Sequence, residues 1–333
     1  MAKKIFLSLL SVMVVLILGL FAFVEASWDK TYDIPLPQLQ TSTDSAVIAR
    51  GKYLVHGPAH CSNCHVGSVD EMIAADAGQD IPLKGGVAFP FGPLGTLYAP
   101  NLTPDPKTGI GRFSDGQIFR MMRHSVRPSG MASIPLLMPF SNMADEDLIA
   151  VVSYLRSMPP IENEVPPSQW TLMGKIMKSF MPIFKPIQNP SPPSQAPAMA
   201  PSIERGEYIA RYVANCVGCH TERDLTTYDA IGPEFAGGME FEPDPALNMA
   251  VGEDPELWIK TPNITPDPGG AFANFKTPEE WKSRFRQGRT IKISPMHWGP
   301  FSRMSDEDIE ALYLYLKSLA PVPHEVEPLV YKK

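Results

Sequence analysis

The chain has 333 residues, enough for two domains each with its own core, and an apolar fraction of 44 % that is ordinary for a folded protein. Its 36 prolines are about twice the usual share and predict irregular connections and short regular elements. A net charge of −7 argues against a nucleic-acid surface, which needs a basic stripe, and favours a basic patch on a redox partner.

At the N-terminus, Lys3 and Lys4 precede an uncharged apolar run from Ile5 to Val24. A basic start followed by such a run is a secretory signal, and 20 residues also suffice to span a bilayer. Val24-Glu25-Ala26 offers a cleavage site, but the length of the run favours retention of residues 1–26 as an anchor. The lysines then stay inside and the body is exported to the periplasmic side of the cytoplasmic membrane.

After this segment the sequence repeats itself. Arg50-Gly51-Lys52-Tyr53-Leu54 and Arg205-Gly206-Glu207-Tyr208-Ile209 each place an arginine 11 residues before the first cysteine of a CxxCH motif. The motifs are Cys61-Ser62-Asn63-Cys64-His65 and Cys216-Val217-Gly218-Cys219-His220. Downstream, Ala99-Pro100-Asn101-Leu102-Thr103-Pro104-Asp105-Pro106 matches Thr261-Pro262-Asn263-Ile264-Thr265-Pro266-Asp267-Pro268, and Phe113 or Phe275 follows each asparagine by 12 residues. Met143-Ala144-Asp145-Glu146-Asp147-Leu148 matches Met304-Ser305-Asp306-Glu307-Asp308-Ile309 at the start of a closing helix. In that helix Ile309, Leu312, Tyr313 and Leu316 fall on one face, Ser305 can cap, and the acidic run suits the positive helix end. Landmarks repeated in the same order predict two copies of one domain, residues 40–160 and 201–323.

The intervening residues 161–200 read as a semi-rigid proline-rich linker. Within it, Trp170 to Ile187 is apolar and carries Lys175, Lys178 and Lys185. Two readings stand: a basic amphipathic segment for a membrane or partner, or, as favoured, a connector packed on its own domains, with Pro182 and Pro186 limiting any helix.

Two cysteines three positions apart bring both sulfurs to one side of a helical turn, where they can add to the two vinyl groups of one haem while the next histidine meets the iron. By composition, one such pentapeptide is expected in about one chain in a thousand, so two in matched repeats are not accidental. Zinc would want four ligands from closely spaced pairs, and a redox CxxC would leave the repeated histidine unexplained. All four cysteines are used by the motifs, so none remains as a nucleophile. The residues therefore predict two covalently bound haems c, with His65 and His220 as iron ligands.

For the opposite iron face, Met143 and Met304 are set aside as hydrophobic staples against Leu148 and Ile309. Met138, 73 residues after His65, and Met296, 76 after His220, lie in proline-stiffened loops and are the favoured ligands; His124 and His297 are the rivals. Arg127 and Arg289 could pair with haem propionates or be ordinary surface residues. Tyr53 and Tyr208 are expected in the contact between first and last helices.

These features resemble the tandem class I-like c-type cytochromes. They are similar in particular to the cytochrome c subunits of membrane-bound alcohol, aldehyde and gluconate dehydrogenases. The matching stretches are CxxCH, the Asn-Leu/Ile-Thr-Pro-Asp-Pro segment, Thr108-Gly109-Ile110-Gly111, a methionine in a proline-containing loop, and the Asp-Glu-Asp start of a Tyr-Leu-containing helix, over about residues 45–320. Those subunits usually carry three haems and this chain has two motifs, so the resemblance implies electron transfer more firmly than any one dehydrogenase. The expectation is an all-α dihaem cytochrome that performs no bond chemistry. It would take electrons from a dehydrogenase or quinol-oxidising complex and pass them to a cytochrome or terminal oxidase. The rivals are a dihaem peroxidase and a haem-based gas-binding module, both of which need an open iron position.

Overall fold

The structure is a computed structural model that describes residues 1–333, with only the backbone of Ala2 described. The first helix, α1 (Ala2–Ser27), extends away from the body, with Leu16 67 % exposed and Val24, near its end, 1 % exposed. The first half then contains α2 (Ser45–His56), α3 (Val69–Asp76), α4 (Asp115–His124) and α5 (Asp145–Ser157). The connector contributes α6 (Leu172–Phe180). The second half contains α7 (Ile203–Tyr208), which continues as a π-helical turn over Ile209–Val213, then α8 (Cys216–Cys219), α9 (Pro245–Ala250), α10 (Pro278–Arg286), α11 (Trp298–Phe301) and α12 (Asp306–Ser318).

Helices α2 and α5 cross closely, as do α7 and α12, because each first helix carries a glycine at the crossing. A Cβ on Gly51 would lie 1.9 Å from the Ala150 carbonyl oxygen, and one on Gly206 would lie 2.0 Å from that of Ala311. Ser305 caps α12 by accepting from the Asp308 amide, as its sequence predicts. Met143 and Met304, just before α5 and α12, are fully buried, in keeping with the staple role.

The all-α expectation needs one correction. Each half contains a small antiparallel sheet: β1 (Ala88–Pro90), β2 (Gly95–Tyr98) and β3 (Gln169–Trp170) in the first, and β4 (Glu240–Phe241), β5 (Trp258–Lys260) and β6 (Val330–Tyr331) in the second. The third strand comes from the connector in one case and from the C-terminal segment in the other. Strands this short carry almost no periodic signal in sequence, but they determine where the following residues go.

The apolar interior is continuous between the halves; Leu54, Met143 and Leu148 belong to the same core as Ile209, Met304 and Ile309. Two reciprocal contacts cross the junction. Tyr53 donates to Asp308 at 2.5 Å and accepts from the Ser305 amide at 3.1 Å. Tyr208 donates to Asp147 at 2.8 Å and accepts from the Ala144 amide at 3.0 Å. These tyrosines thus reach the closing helix of the opposite half rather than joining first and last helices within one half. Each aspartate is also paired within its own half, Asp147 with Arg50 and Asp308 with Arg205, both at 2.7 Å. Burial, reinforced by the facing carboxylates, pushes both phenols up from their ordinary value.

Candidate functional site

The two CxxCH segments adopt nearly the same local structure. Cys61–Asn63 is a single 3₁₀ turn and Cys216–Cys219 a single helical turn. Each is approached through a left-handed residue, His60 (φ 44°) or Asn215 (φ 53°), which reverses the chain immediately before the first cysteine. The His65 amide donates to the Cys61 carbonyl at 3.0 Å and the His220 amide to the Cys216 carbonyl at 2.8 Å, so each histidine follows its first cysteine by one turn. None of the four cysteines is joined in a disulfide. Burial pushes the thiols of Cys61 and Cys216 up to about 12 and those of Cys64 and Cys219 up to about 11, so these sulfurs sit where a thiolate is disfavoured.

The histidines are fixed from behind. His65 Nδ1 bonds the Pro100 carbonyl at 3.0 Å, and His220 Nδ1 bonds the Pro262 carbonyl at 2.9 Å. A carbonyl only accepts, so Nδ1 carries the proton and Nε2 keeps its lone pair, the form in which imidazole binds a metal. Burial lowers both histidines from their ordinary value, which favours the neutral form.

The small sheets position those carbonyls. Strand β2 runs into Ala99-Pro100 and β5 into Thr261-Pro262. Gly85 and Gly237, at φ 69° and 75°, return the chain beneath them, and their amides donate to the His65 and His220 carbonyls at 3.0 and 2.9 Å. A Cβ at these positions would lie 2.4 Å from Pro100 C and 2.5 Å from Pro262 C. Sequence reasoning missed these glycines. Their signal is a glycine pair, Gly85-Gly86 and Gly237-Gly238, after each CxxCH.

The repeated asparagines lock the same loops from the other side. Asn101 Oδ1 accepts from the amide and hydroxyl of Thr103 at 2.9 and 2.7 Å, while Nδ2 donates to the Ile161 carbonyl at 2.8 Å. Asn263 Oδ1 accepts from the amide and hydroxyl of Thr265 at 2.9 and 2.8 Å, and Nδ2 donates to the Val322 and His324 carbonyls at 2.9 and 3.0 Å. Each proline carbonyl is therefore tied to the chain that follows the closing helix.

Met138 and Met296 are half-buried and pack on the same core as Cys61 and Cys216. Their loops share a local bond: the Phe140 amide donates to the Met138 carbonyl at 2.9 Å and the Trp298 amide to the Met296 carbonyl at 2.8 Å. Of the histidine rivals, His124 is held through Nδ1 to the Ile187 carbonyl at 2.8 Å. His297 stacks on His60 across the junction, with ring centroids 4.0 Å apart, and its buried Nδ1 has no partner among the described residues.

The two arginines part company. Arg289 is bound to Asp76 of the other half at 2.6 Å, so its carboxylate partner is already within the chain. Arg127 is half-buried and has no carboxylate partner among the described residues, and burial lowers it from its ordinary value. Among the described residues no three His, Cys, Asp or Glu side chains gather as a metal cluster. The donor set, two half-buried cysteine sulfurs beside one buried, oriented imidazole, suits thioether attachment and ligation of a haem iron.

Residues 203–320 match the cytochrome c family. More particularly, the chain is 31 % identical over 290 residues to one subunit of the nicotinate dehydrogenase of Pseudomonas putida, covering 85 % of this chain and 22 % of that protein. It is 27 % identical over 294 residues to the cytochrome c subunit of the quinone-type alcohol dehydrogenase of Gluconobacter oxydans, covering 84 % and 56 %. It is 23 % identical over 275 residues to a dihaem c-type cytochrome of Cereibacter sphaeroides, covering 79 % and 82 %. The chain thus spans about half, or less, of the length of the dehydrogenase subunits it matches.

Proposed function

We propose that the chain is an exported, membrane-anchored dihaem c-type cytochrome. Cys61 and Cys64 would hold one haem and Cys216 and Cys219 the other. His65 and His220 would bind the irons on one side, and Met138 and Met296 on the other. Residues 40–160 and 201–323 would be the two cytochrome domains, joined by 161–200. The observation that carries this reading is the duplicated Nδ1–carbonyl bond, which presents the Nε2 lone pair of both motif histidines in the same way.

The haem supplies reversible one-electron exchange at iron; the rest is the work of the chain. The proline carbonyls orient the imidazoles and raise their basicity. The buried surroundings would exclude water, and Met138 and Met296, as further iron-holding residues, would raise the potential and leave no open site, which would favour electron passage over peroxide or gas chemistry. The dehydrogenase names among the relatives support a dehydrogenase or quinol-oxidising complex as donor, with a cytochrome or terminal oxidase as acceptor. Retention of α1 as the anchor, with the body on the periplasmic side, is supported by its junction with the body. The candidate cleavage segment lies within a helix, Val24 is 1 % exposed, and Glu25 is ion-paired to Lys175 at 2.9 Å.

Met138→Ala and Met296→Ala test the ligand set. Each should remove about half of the weak red-edge absorption that reports Met–Fe(III) bonding and leave the other half. Full retention of the band in both variants would exclude these methionines as ligands.

A further inference from the structure

The apolar run ends where α1 meets the connector helix. Phe23 stacks on Phe180 with ring centroids 5.4 Å apart, and Lys175 bonds both carboxylate oxygens of Glu25 at 2.9 Å. Lys175 and Lys178 also lie over the Trp28 ring, 4.9 and 5.3 Å from its centroid. Helix α6 is fixed in turn to the first half. Gly174 packs so closely that a Cβ there would lie 2.2 Å from the Leu94 carbonyl oxygen, and Met177 packs into the cluster of Leu97, Ile134 and Phe184.

The other face of α6 is apolar and about half exposed: Leu172 and Met173 are each 51 % exposed and Phe180 52 %. With half-buried Ile176, these four residues fall within an arc of about 100° on the helix, so they form one stripe. The stripe is continuous with the span through the Phe23–Phe180 stack, and Trp28, a residue type favoured at membrane interfaces, sits at the same junction.

We propose that α6 lies in the interfacial layer of the membrane crossed by α1, its Leu172–Phe180 stripe among the upper acyl chains. It would thereby hold the Met138 loop of the first half near the membrane surface. Residues 135–137 of that loop touch residues 182–184 just after α6, and Leu137 is 47 % exposed. The first half would then exchange electrons with a membrane-borne partner. This rests on α1 being a retained anchor.

The test uses full-length, haem-loaded protein in phosphatidylethanolamine/phosphatidylglycerol vesicles, with a fluorophore on one introduced cysteine at a time: Leu16→Cys in the span, Met173→Cys in the stripe, or Met249→Cys, an exposed site in the second half. Nitroxide lipids labelled at shallow or deep acyl positions report depth. The expected result is loss of most emission at 173 with shallow nitroxides, at 16 with deep nitroxides, and at 249 with neither. Quenching at 16 without quenching at 173 would overturn the interfacial helix and leave the anchor standing. Protection of 173 only after addition of a purified dehydrogenase would likewise overturn it, by assigning the stripe to a protein partner. Absence of quenching at both 16 and 173 would overturn the anchor and the helix together.

Discussion

The two methionine loops sit on the same scaffold but in different surroundings. The Met138 loop of the first half faces outward, against the connector, with Leu137 exposed beside it. The Met296 loop of the second half is folded into the junction. There Asp76 accepts from the Gly299 amide at 3.1 Å and pairs with Arg289, His297 stacks on His60, and Arg303 donates to the carbonyls of His56 and Ala75 at 3.0 and 2.9 Å. Repeated sequence landmarks therefore need not give two equivalent surroundings. The shared part orients the motif histidine, while the part that differs leaves one methionine loop beside the connector and folds the other against the opposite half. The three additional residues between Met296 and Met304, relative to Met138 and Met143, fall where the second loop forms α11 and reaches across.

The largest expected difference concerns the paired aspartates. Both side chains of Arg205–Asp308 are 0 % exposed, whereas Arg50 of the Arg50–Asp147 pair is 21 % exposed. Removing one member of a buried pair strands the other charge, typically at about 3–5 kcal/mol. Asp308→Ala should therefore destabilise the holo-protein by about that amount in denaturant unfolding. Asp147→Ala should fall below it, because water can reach Arg50. Equal losses would show that the two halves are electrostatically equivalent.

A smaller asymmetry is expected at the crossing tyrosines. Tyr208 is 3 % exposed and supplies the bond to the Ala144 amide at the start of α5, a helix with no side-chain cap. Tyr53 serves α12, which Ser305 also caps. Tyr208→Phe should cost about 2 kcal/mol by thermal or denaturant unfolding and Tyr53→Phe about 1. The reverse order would place the weaker end at α12.

The smallest effect is a pH slope. Burial, with Arg303 and Lys52 adding and Asp80 opposing, lowers His56 below its ordinary value of 6.5. Between its folded pKa and 6.5 the unfolded chain binds more protons, so stability is present above 6.5 and lost as pH falls below it. His56→Gln should flatten the stability–pH curve just below pH 6.5; an unchanged slope would remove His56 from the acid sensitivity.

Much of this was legible in the sequence because the repeat is written in residues with strong local chemistry. The paired Arg-Gly-x-Tyr, CxxCH and Asn-x-Thr-Pro-Asp-Pro stretches mark the first helices, the attachment turns and the carbonyl loops, and Ser305 marks the start of α12. Three things were not legible. The strands are two to four residues long and lie among glycines and prolines, so they leave no alternation to detect. Tyr53 and Tyr208 occupy a helical position that suits an intra-half contact equally well; only the junction reveals the exchange of partners. Arg289 looked available for a propionate because Asp76, 213 residues away, gives no local sign of reaching it.

Haem stoichiometry is read from the intact mass of the purified chain, produced in a host that attaches haem c, together with that of the Cys216→Ser/Cys219→Ser variant. A mass above that of the polypeptide with α1 retained by two haems is expected for the unaltered chain, and by one haem for the variant. A single haem on the unaltered chain, or the same number on both proteins, would contradict the dihaem assignment.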